Sequence, residues 1–214
     1  MSFLGDNGLQ VKICGITNAS DAAMCADAGA DALGFNFFPG SPRYIEPDQA
    51  IPWIRALGGS PARVAVVVNP DSALLEKLRA AECFEWIQFH GDESPAACSG
   101  AGFDRWIKAA RISEAADFAG ALAFDAPGIL LDAWSADAYG GTGKRLDWDL
   151  ARHFVGKHPS GKILLAGGLN VQNVRQAVRI VRPHAVDVAS GVELSPGKKE
   201  DGLVREFVRV AKAA

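Results

Sequence analysis

KICGIT, residues Lys12 to Thr17, is the segment from which the architecture of this chain can be inferred. It follows a short apolar strand signal, Val11 to Ile13, which ends at Cys14 and breaks at Gly15. A thiol in the last position of a strand is held by a rigid element and still faces outward. In an α/β barrel the chemistry lies at the carboxyl ends of the parallel strands, so the segment predicts such a barrel with Cys14 at its mouth.

Outward from this segment, short apolar runs rich in β-branched residues alternate with longer alanine-rich segments. The predicted strands are Val11–Cys14, Ala32–Asn36, Arg63–Val68, Trp86–His90, Arg105–Ala109, Ile129–Asp132, Ile163–Leu165 and Val186–Ala189. Helices are expected between them, the first capped by Ser20, the fifth over Ser113–Phe118 and the seventh starting at Asn170. Runs such as VAVVV are apolar at successive positions, which is typical of a parallel sheet buried on both faces.

These eight strand–helix units predict one α/β domain over residues 1–214, a single (βα)8 TIM barrel, in which residues 1–9 could form a loose leader. An open doubly wound sheet is the alternative. It is disfavoured because no GxGxxG sequence follows the first strand.

Composition narrows the functional classes. The chain has a net charge of -3, with 49% hydrophobic and 22% charged residues, and it has neither a basic stripe nor a long apolar run. We therefore expect neither a nucleic-acid partner nor a membrane partner. The first residues lack a signal-peptide pattern and the four cysteines show no CxxC spacing, so we expect a cytoplasmic protein with reduced thiols and no metal site.

Polar residues at the ends of the predicted strands are the candidates for chemistry. Cys14 is one, although a free cysteine is usually a small core residue. Asp132 closes the run ILLD, where a carboxylate is costly to bury unless it is paired, and it could instead cap the next loop. Arg43, between Pro42 and Tyr44, suits a bidentate grip on a carboxylate. His90 shares a strand face with Gln88 and could be a core histidine.

Two glycine sites complete the predicted rim. LLAGGLN runs from a strand through Gly167 and Gly168 to a helix expected at Asn170, and VASGVE places Ser190 and Gly191 after the last strand. Backbone amides at such loops attract phosphate, and barrels often bind phosphate after strands 7 and 8. GGTGKR, residues 140–145, lacks the spacing of a nucleotide P-loop, and we interpret it as a connector over the rim.

The blocks KICGIT, GFNFFPGSPRYI, IQFHGDE, YGGTGKRLDW, LLAGGLNVQNV and VDVASGVELSPGKK together resemble phosphoribosylanthranilate isomerase, in order from Val11 to Lys199. The resemblance implies a (βα)8 barrel that performs an Amadori rearrangement in tryptophan biosynthesis without metal or organic cofactor. It implies Cys14 as general base and Asp132 as general acid. Arg43 would hold the anthranilate carboxylate and His90 would lie beside the reacting groups, while the phosphate would bind at Gly167, Gly168, Ser190 and Gly191.

The reaction needs an ionised thiol and a protonated carboxyl, and we expect a bound iminium or helix dipoles to lower the pKa of Cys14. We expect a small phosphorylated substrate and a monomer, with a homodimer as the alternative. Another phosphate-binding barrel enzyme, the histidine-pathway isomerase or indole-glycerol-phosphate synthase, is a second hypothesis. It is disfavoured because the former uses two aspartates and the latter strand-borne lysines, of which only Lys12 stands out. A non-catalytic phosphate binder is the third.

Overall fold

Eight parallel strands close into a barrel, each hydrogen-bonded to the next and β8 to β1. The structure, a computed structural model, describes residues 3–5, 8–59, 61–133, 146–158 and 161–214. The barrel strands are β1 (Gln10–Cys14), β2 (Ala32–Asn36), β3 (Ala62–Val67), β4 (Trp86–Phe89), β5 (Trp106–Ile112), β6 (Gly128–Ala133), β7 (Ile163–Leu165) and β8 (Ala185–Val188). The predicted (βα)8 barrel is therefore confirmed.

Helices follow the strands in sequence. They are α1 (Ala19–Asp27), α2 (Pro47–Arg55), α3 (Ser72–Ala80), α4 (Pro95–Ser99), α5 (Asp117–Leu122), α6 (Trp148–Lys157), α7 (Val174–Val181) and α8 (Asp201–Lys212). Side chains cap several of their amino ends: Asp71 accepts from the N–H of Leu74 at 2.8 Å, and Ser94 accepts from that of Ala97 at 3.2 Å. These caps satisfy amides that have no partner within the helix and fix where each helix begins.

Two apolar layers hold the barrel. Residues that face outward from the strands, such as Ile13, Phe35 and Val186, pack beneath the helices in the larger core. Residues that face inward, such as Val64, Ile107 and Leu130, fill the barrel itself. Because side chains alternate across a strand, the same inward rows carry Lys12 and Cys14 on β1, and Gln88 followed by His90 at the end of β4. The barrel thus places the predicted site residues at one end.

Several boundaries differ from the sequence-based expectations. The cap of α1 is Asn18, not Ser20; its side chain accepts from the N–H of Asp21 at 2.8 Å. Helix α5 begins at Asp117 rather than Ser113, because Ser113 belongs to a turn closed by the Asp117 carboxylate. After β8 the chain forms a short 3-10 turn, Ser190–Val192, and a hairpin of β9 (Glu193–Ser195) and β10 (Lys198–Lys199), which the sequence did not predict.

The expected loose leader does not describe Phe3 and Leu4, which are buried with the barrel interior. The ring of Phe3 meets that of Trp86 edge-on, with centroids 5.8 Å apart, and the N–H of Leu4 donates to Gln10. Apolar residues close the amino-terminal end of the barrel here. The predicted connector over the rim, residues 140–145, lies outside the described residues, as do all residues from 134 to 145.

Candidate active site

Cys14 is the last residue of β1 and is partly exposed at the mouth. Two glycines make its position possible. A Cβ on Gly34 of the neighbouring β2 would lie 2.8 Å from the Cys14 sulfur, so only glycine leaves room for it. Gly15 has a φ of +79°, a conformation that side chains disfavour, and a Cβ there would lie 2.3 Å from Cδ of Arg43. Gly34 thus leaves room for the sulfur of Cys14, and Gly15 leaves room for the side chain of Arg43.

A buried ion pair lies beside Cys14. Lys12, on the same face of β1, is completely buried, and its Nζ donates to Asp187 of β8 at 2.7 Å. The two residues are direct partners in the register of β1 and β8. Burial raises the pKa of the Cys14 thiol; Lys12 and Lys199 oppose the rise, while Asp187 adds to it. The lowered thiol pKa expected for the reaction is therefore not found in the chain by itself.

Arg43 already holds a carboxylate within the chain. Its Nε and Nη2 donate to Glu193 of β9 at 2.9 Å and 2.7 Å, in the two-point geometry expected for a substrate carboxylate. Glu193 also accepts from Nζ of Lys199 at 2.7 Å. Although burial alone would raise it, the pKa of Glu193 is lowered by Arg43 and Lys199. The predicted clamp thus has one edge of its guanidinium occupied by Glu193.

Lys199 connects the hairpin to the mouth. Its ammonium donates to the backbone carbonyl of Cys14 at 2.6 Å and to that of Ala189 at 3.2 Å. The side chain is fully buried, and burial lowers the pKa of Lys199 while Glu193 opposes the change. One lysine therefore joins the end of β1 to the loop after β8.

Asp132 and His90 meet on the other side of the mouth. Oδ2 of Asp132 lies 3.4 Å from Nε2 of His90, and Oδ1 accepts from the N–H of Ala133 at 2.8 Å. Gln88 is 3.0 Å from Nδ1 of His90. When the Gln88 amide donates there, the neutral ring carries its hydrogen on Nε2, which points towards Asp132. Both residues are buried, and β6 lies three strands from β1 around the barrel.

The loop that follows His90 is fixed by Glu93. Its carboxylate accepts from the N–H groups of Asn69 and Gly91 at 2.8 Å and 3.1 Å, and from Nζ of Lys108 at 2.7 Å. Asn69 and Gly91 follow the ends of β3 and β4, and Lys108 lies within β5. Glu93, in the block IQFHGDE, therefore ties the loops after β3 and β4 to strand β5 beside His90.

The two glycine loops are in contact with each other and with Asp132. A Cβ on Gly191 would lie 2.0 Å from the carbonyl oxygen of Leu169, and one on Gly167 would lie 3.3 Å from Oδ1 of Asp132. Ser190 is exposed at the start of the 3-10 turn. Helix α7 begins at Val174, not at Asn170. Asn170 and Asn173 instead shape the turn, and Asn173 donates to the carbonyl of Gly168 at 2.9 Å.

Comparison with known proteins identifies the family. Residues 11–210 match the family model for N-(5'phosphoribosyl)anthranilate (PRA) isomerase. A protein of Citrifermentans bemidjiense named N-(5'-phosphoribosyl)anthranilate isomerase is 46% identical over 203 residues, 95% of this chain and 97% of its own. The chain belongs to the N-(5'-phosphoribosyl)anthranilate isomerase family. Solved structures of that family also cover almost the whole chain.

The crystal structure of the phosphoribosyl anthranilate isomerase from Thermotoga maritima superposes with a TM-score of 0.87 at 37% identity, covering 96% of this chain and 100% of that one. A second isomerase structure, in complex with reduced 1-(o-carboxyphenylamino)-1-deoxyribulose 5-phosphate, gives a TM-score of 0.83 at 36% identity, with the same coverage. The predictions of this family and of an enzyme are confirmed.

Sequence reasoning gave no role to four charged residues at the mouth of this isomerase: Lys12, Asp187, Glu193 and Lys199. A signal exists for the first two. VKI and VDV each place one charge inside an apolar strand, and the first and last strands of a closed barrel are neighbours.

Two absences hold for the described residues of this isomerase. No three His, Cys, Asp or Glu side chains among them are grouped so that they could hold a metal ion, and none of their helices is long and apolar enough to span a bilayer.

Proposed function

We propose that the chain converts N-(5'-phosphoribosyl)anthranilate to 1-(2-carboxyphenylamino)-1-deoxyribulose 5-phosphate in tryptophan biosynthesis, an Amadori rearrangement by general acid–base catalysis. One observation carries the proposal. A thiol at the end of β1 and a carboxyl on β6 share the mouth of the barrel with the paired glycine loops after β7 and β8. The ligand of the related isomerase complex has the same carboxyphenylamino and phosphate groups.

The chemistry assigns one proton transfer to each group. Asp132, as a neutral acid, donates a proton to the ribose ring oxygen, the bond from C1′ to that oxygen breaks, and the anthranilate nitrogen supplies the electrons to form an iminium. Cys14, as a thiolate, then removes the proton from C2′, which the iminium has made acidic. The resulting enolamine tautomerises to the aminoketose. Since burial raises the pKa of Cys14 in the free chain, the iminium charge is needed to favour its ionised form.

Substrate binding divides among the remaining candidates. Arg43 holds the anthranilate carboxylate through Nη1 and the second N–H of Nη2, because Nε and the other N–H of Nη2 are bonded to Glu193. His90 lies beside Asp132 and contacts the opened sugar. Backbone amides of Gly167, Gly168, Ser190 and Gly191 receive the phosphate, as loops after the last two strands of a barrel often do. All these residues belong to one chain, so we infer that a monomer suffices for catalysis.

Turnover of Cys14→Ser and Asp132→Asn tests the proposal. The decline of anthranilate fluorescence follows the reaction, and urea unfolding reports whether the fold survives. We expect each variant to lose about 10² to 10⁴ in kcat, because general acid and general base steps are each worth that much. Near-normal turnover by both variants would remove these two residues from the mechanism.

A further inference from the structure

Lys12 is the least expected charge in the barrel. Its side chain is 0% exposed; its Nζ donates to Asp187 at 2.7 Å and also hydrogen-bonds to the side chain of Cys14. A Cβ on Gly34 would lie 2.8 Å from the Cys14 sulfur and 3.2 Å from Nζ of Lys12, so the sulfur and the ammonium border the same small space. Burying a charged lysine costs free energy, and one carboxylate partner offsets only part of that cost.

The charges around Cys14 do not balance while it is a thiol. Three cations face it or connect to it, Lys12, Lys199 and Arg43, against two carboxylates, Asp187 and Glu193. Asp21 accepts from the backbone N–H of Lys199 at 2.9 Å, but it is partly exposed on α1. Burial lowers the pKa of Lys199, and Glu193 opposes that change in support of the charged form. The buried group therefore carries one excess positive charge, which a thiolate would neutralise.

We propose that Lys12 is a positioning residue of the reaction, which stands beside the Cys14 sulfur as the counter-charge of its thiolate, with Asp187 holding the ammonium in place. The role rests on the proposed function of Cys14 as the base. Asp187 fixes the ammonium but, as a second negative charge, also opposes ionisation of the thiol. Lys12 and Asp187 thus act on Cys14 with opposite signs.

Those opposite signs separate this role from a purely structural ion pair. Loss of Lys12 in K12M removes the counter-charge and raises the pKa of Cys14; loss of the Asp187 charge in D187N lowers it. A nearby charge shifts a pKa by about 1 to 3 units. K12R keeps the charge and serves as the matched control. A pair that merely stabilised the barrel would lower the unfolding free energy in both variants, and the pKa of Cys14 would not shift in opposite directions.

The experiment measures the rate of Cys14 alkylation by iodoacetamide against pH in the folded, full-length enzyme. Only the thiolate reacts, so the midpoint of the profile reports the thiol pKa. Cys25, Cys83 and Cys98 are buried, and C14S supplies their background rate. We expect the midpoint to rise by at least about one unit in K12M, to fall in D187N, and to stay near wild type in K12R.

Midpoints that are unchanged, or that move in the same direction in K12M and D187N, overturn the proposal. If K12M fails to fold, D187N decides: a lower midpoint supports the proposal, and an equal or higher one refutes it. Alkylation does not depend on turnover. An active C14S enzyme would therefore contradict the proposed function, whereas unshifted alkylation profiles would contradict only the role of Lys12.

Discussion

Glu193 serves two cations at once, and both are in the candidate site. It bonds Arg43 through two nitrogens and Lys199 through one, with only 3% of its own side chain exposed. Removing one member of such a group leaves uncompensated buried charge, which costs more than the intact pair contributes. The position of Arg43 therefore depends on a residue far from it in sequence.

Replacing Glu193 by Gln is predicted to weaken both binding and stability. Arg43 loses its fixed orientation, so we expect KM to rise roughly tenfold, which corresponds to about 1.4 kcal/mol. Unfolding in urea should show a loss of about 3 kcal/mol at neutral pH. Because the folded pKa of Glu193 is lowered from 4.5, this stabilisation is present above that pH and is lost as the pH falls through the folded value. The difference between wild type and E193Q should therefore shrink in acid.

Glu206 provides the control, since it pairs with Arg209 on the exposed face of α8. E206Q should leave KM and the unfolding midpoint unchanged because solvent screens this pair. A KM in E193Q equal to that of wild type would show that Arg43 does not need Glu193.

At the scale of elements, the sequence predicted regular segments well and their ends less well. Strands Ala32–Asn36 and Ile163–Leu165 are found at the predicted bounds, because strong apolar patterns define them. The start of α1 was misplaced because Asn18 and Ser20 are both good caps, and only the chain path decides between them. The β9–β10 hairpin is held by Arg43 and Cys14, contacts that local sequence cannot reveal.

The predicted site had the same limitation. Cys14, Asp132 and His90 could be placed at one rim because strand ends of a parallel barrel meet there. The ion pair between Arg43 and Glu193 could not be predicted, since the two residues lie 150 positions apart in the chain. Pairing across such distances follows from the closure of the barrel rather than from any local pattern.

The close packing of β1 against β2 gives a prediction for Gly34. In G34A the new methyl would lie 2.8 Å from the Cys14 sulfur, so the thiol must move. We expect kcat to fall about a hundredfold, the effect of a displacement of about 1 Å at a reacting group. Steady-state kinetics with circular dichroism would show activity lost while the fold remains.

Gly156 is the matched control, because it lies in α6 and a Cβ there meets nothing within 4 Å. G156A should keep full activity and gain about 0.5 to 1 kcal/mol of stability from the better helix former. Wild-type kcat in G34A would mean that the sulfur has more room than the packing indicates.

For the whole molecule, the two ends of the barrel have separate tasks. The carboxyl-terminal end carries the candidate site, while Phe3, Leu4 and Trp86 close the amino-terminal end with apolar contacts. In a TIM barrel, residues at this second end mainly affect stability. Changes there should lower the unfolding free energy without altering the chemistry.

Phe3→Ala tests that separation. Truncation of a buried aromatic ring leaves a cavity, and we expect a loss of about 3 kcal/mol in urea unfolding, with kcat unchanged at low temperature. Leu122 is 39% exposed, so L122A should change stability by less than about 0.5 kcal/mol. A Phe3→Ala enzyme as stable as wild type would place this segment outside the packed core.

The ammonium of Lys199 bonded to the carbonyl of Cys14 has a consequence for the biogenesis of the enzyme. The thiol of Cys14 is synthesised near the start of the chain, yet Lys199, which anchors its peptide, is translated close to the end. A growing polypeptide would carry this thiol without its anchor until residue 199 had left the ribosome and folded back. Premature termination before that lysine should yield inert chains even where most strands have paired, so catalytic competence is acquired in the final moments of synthesis.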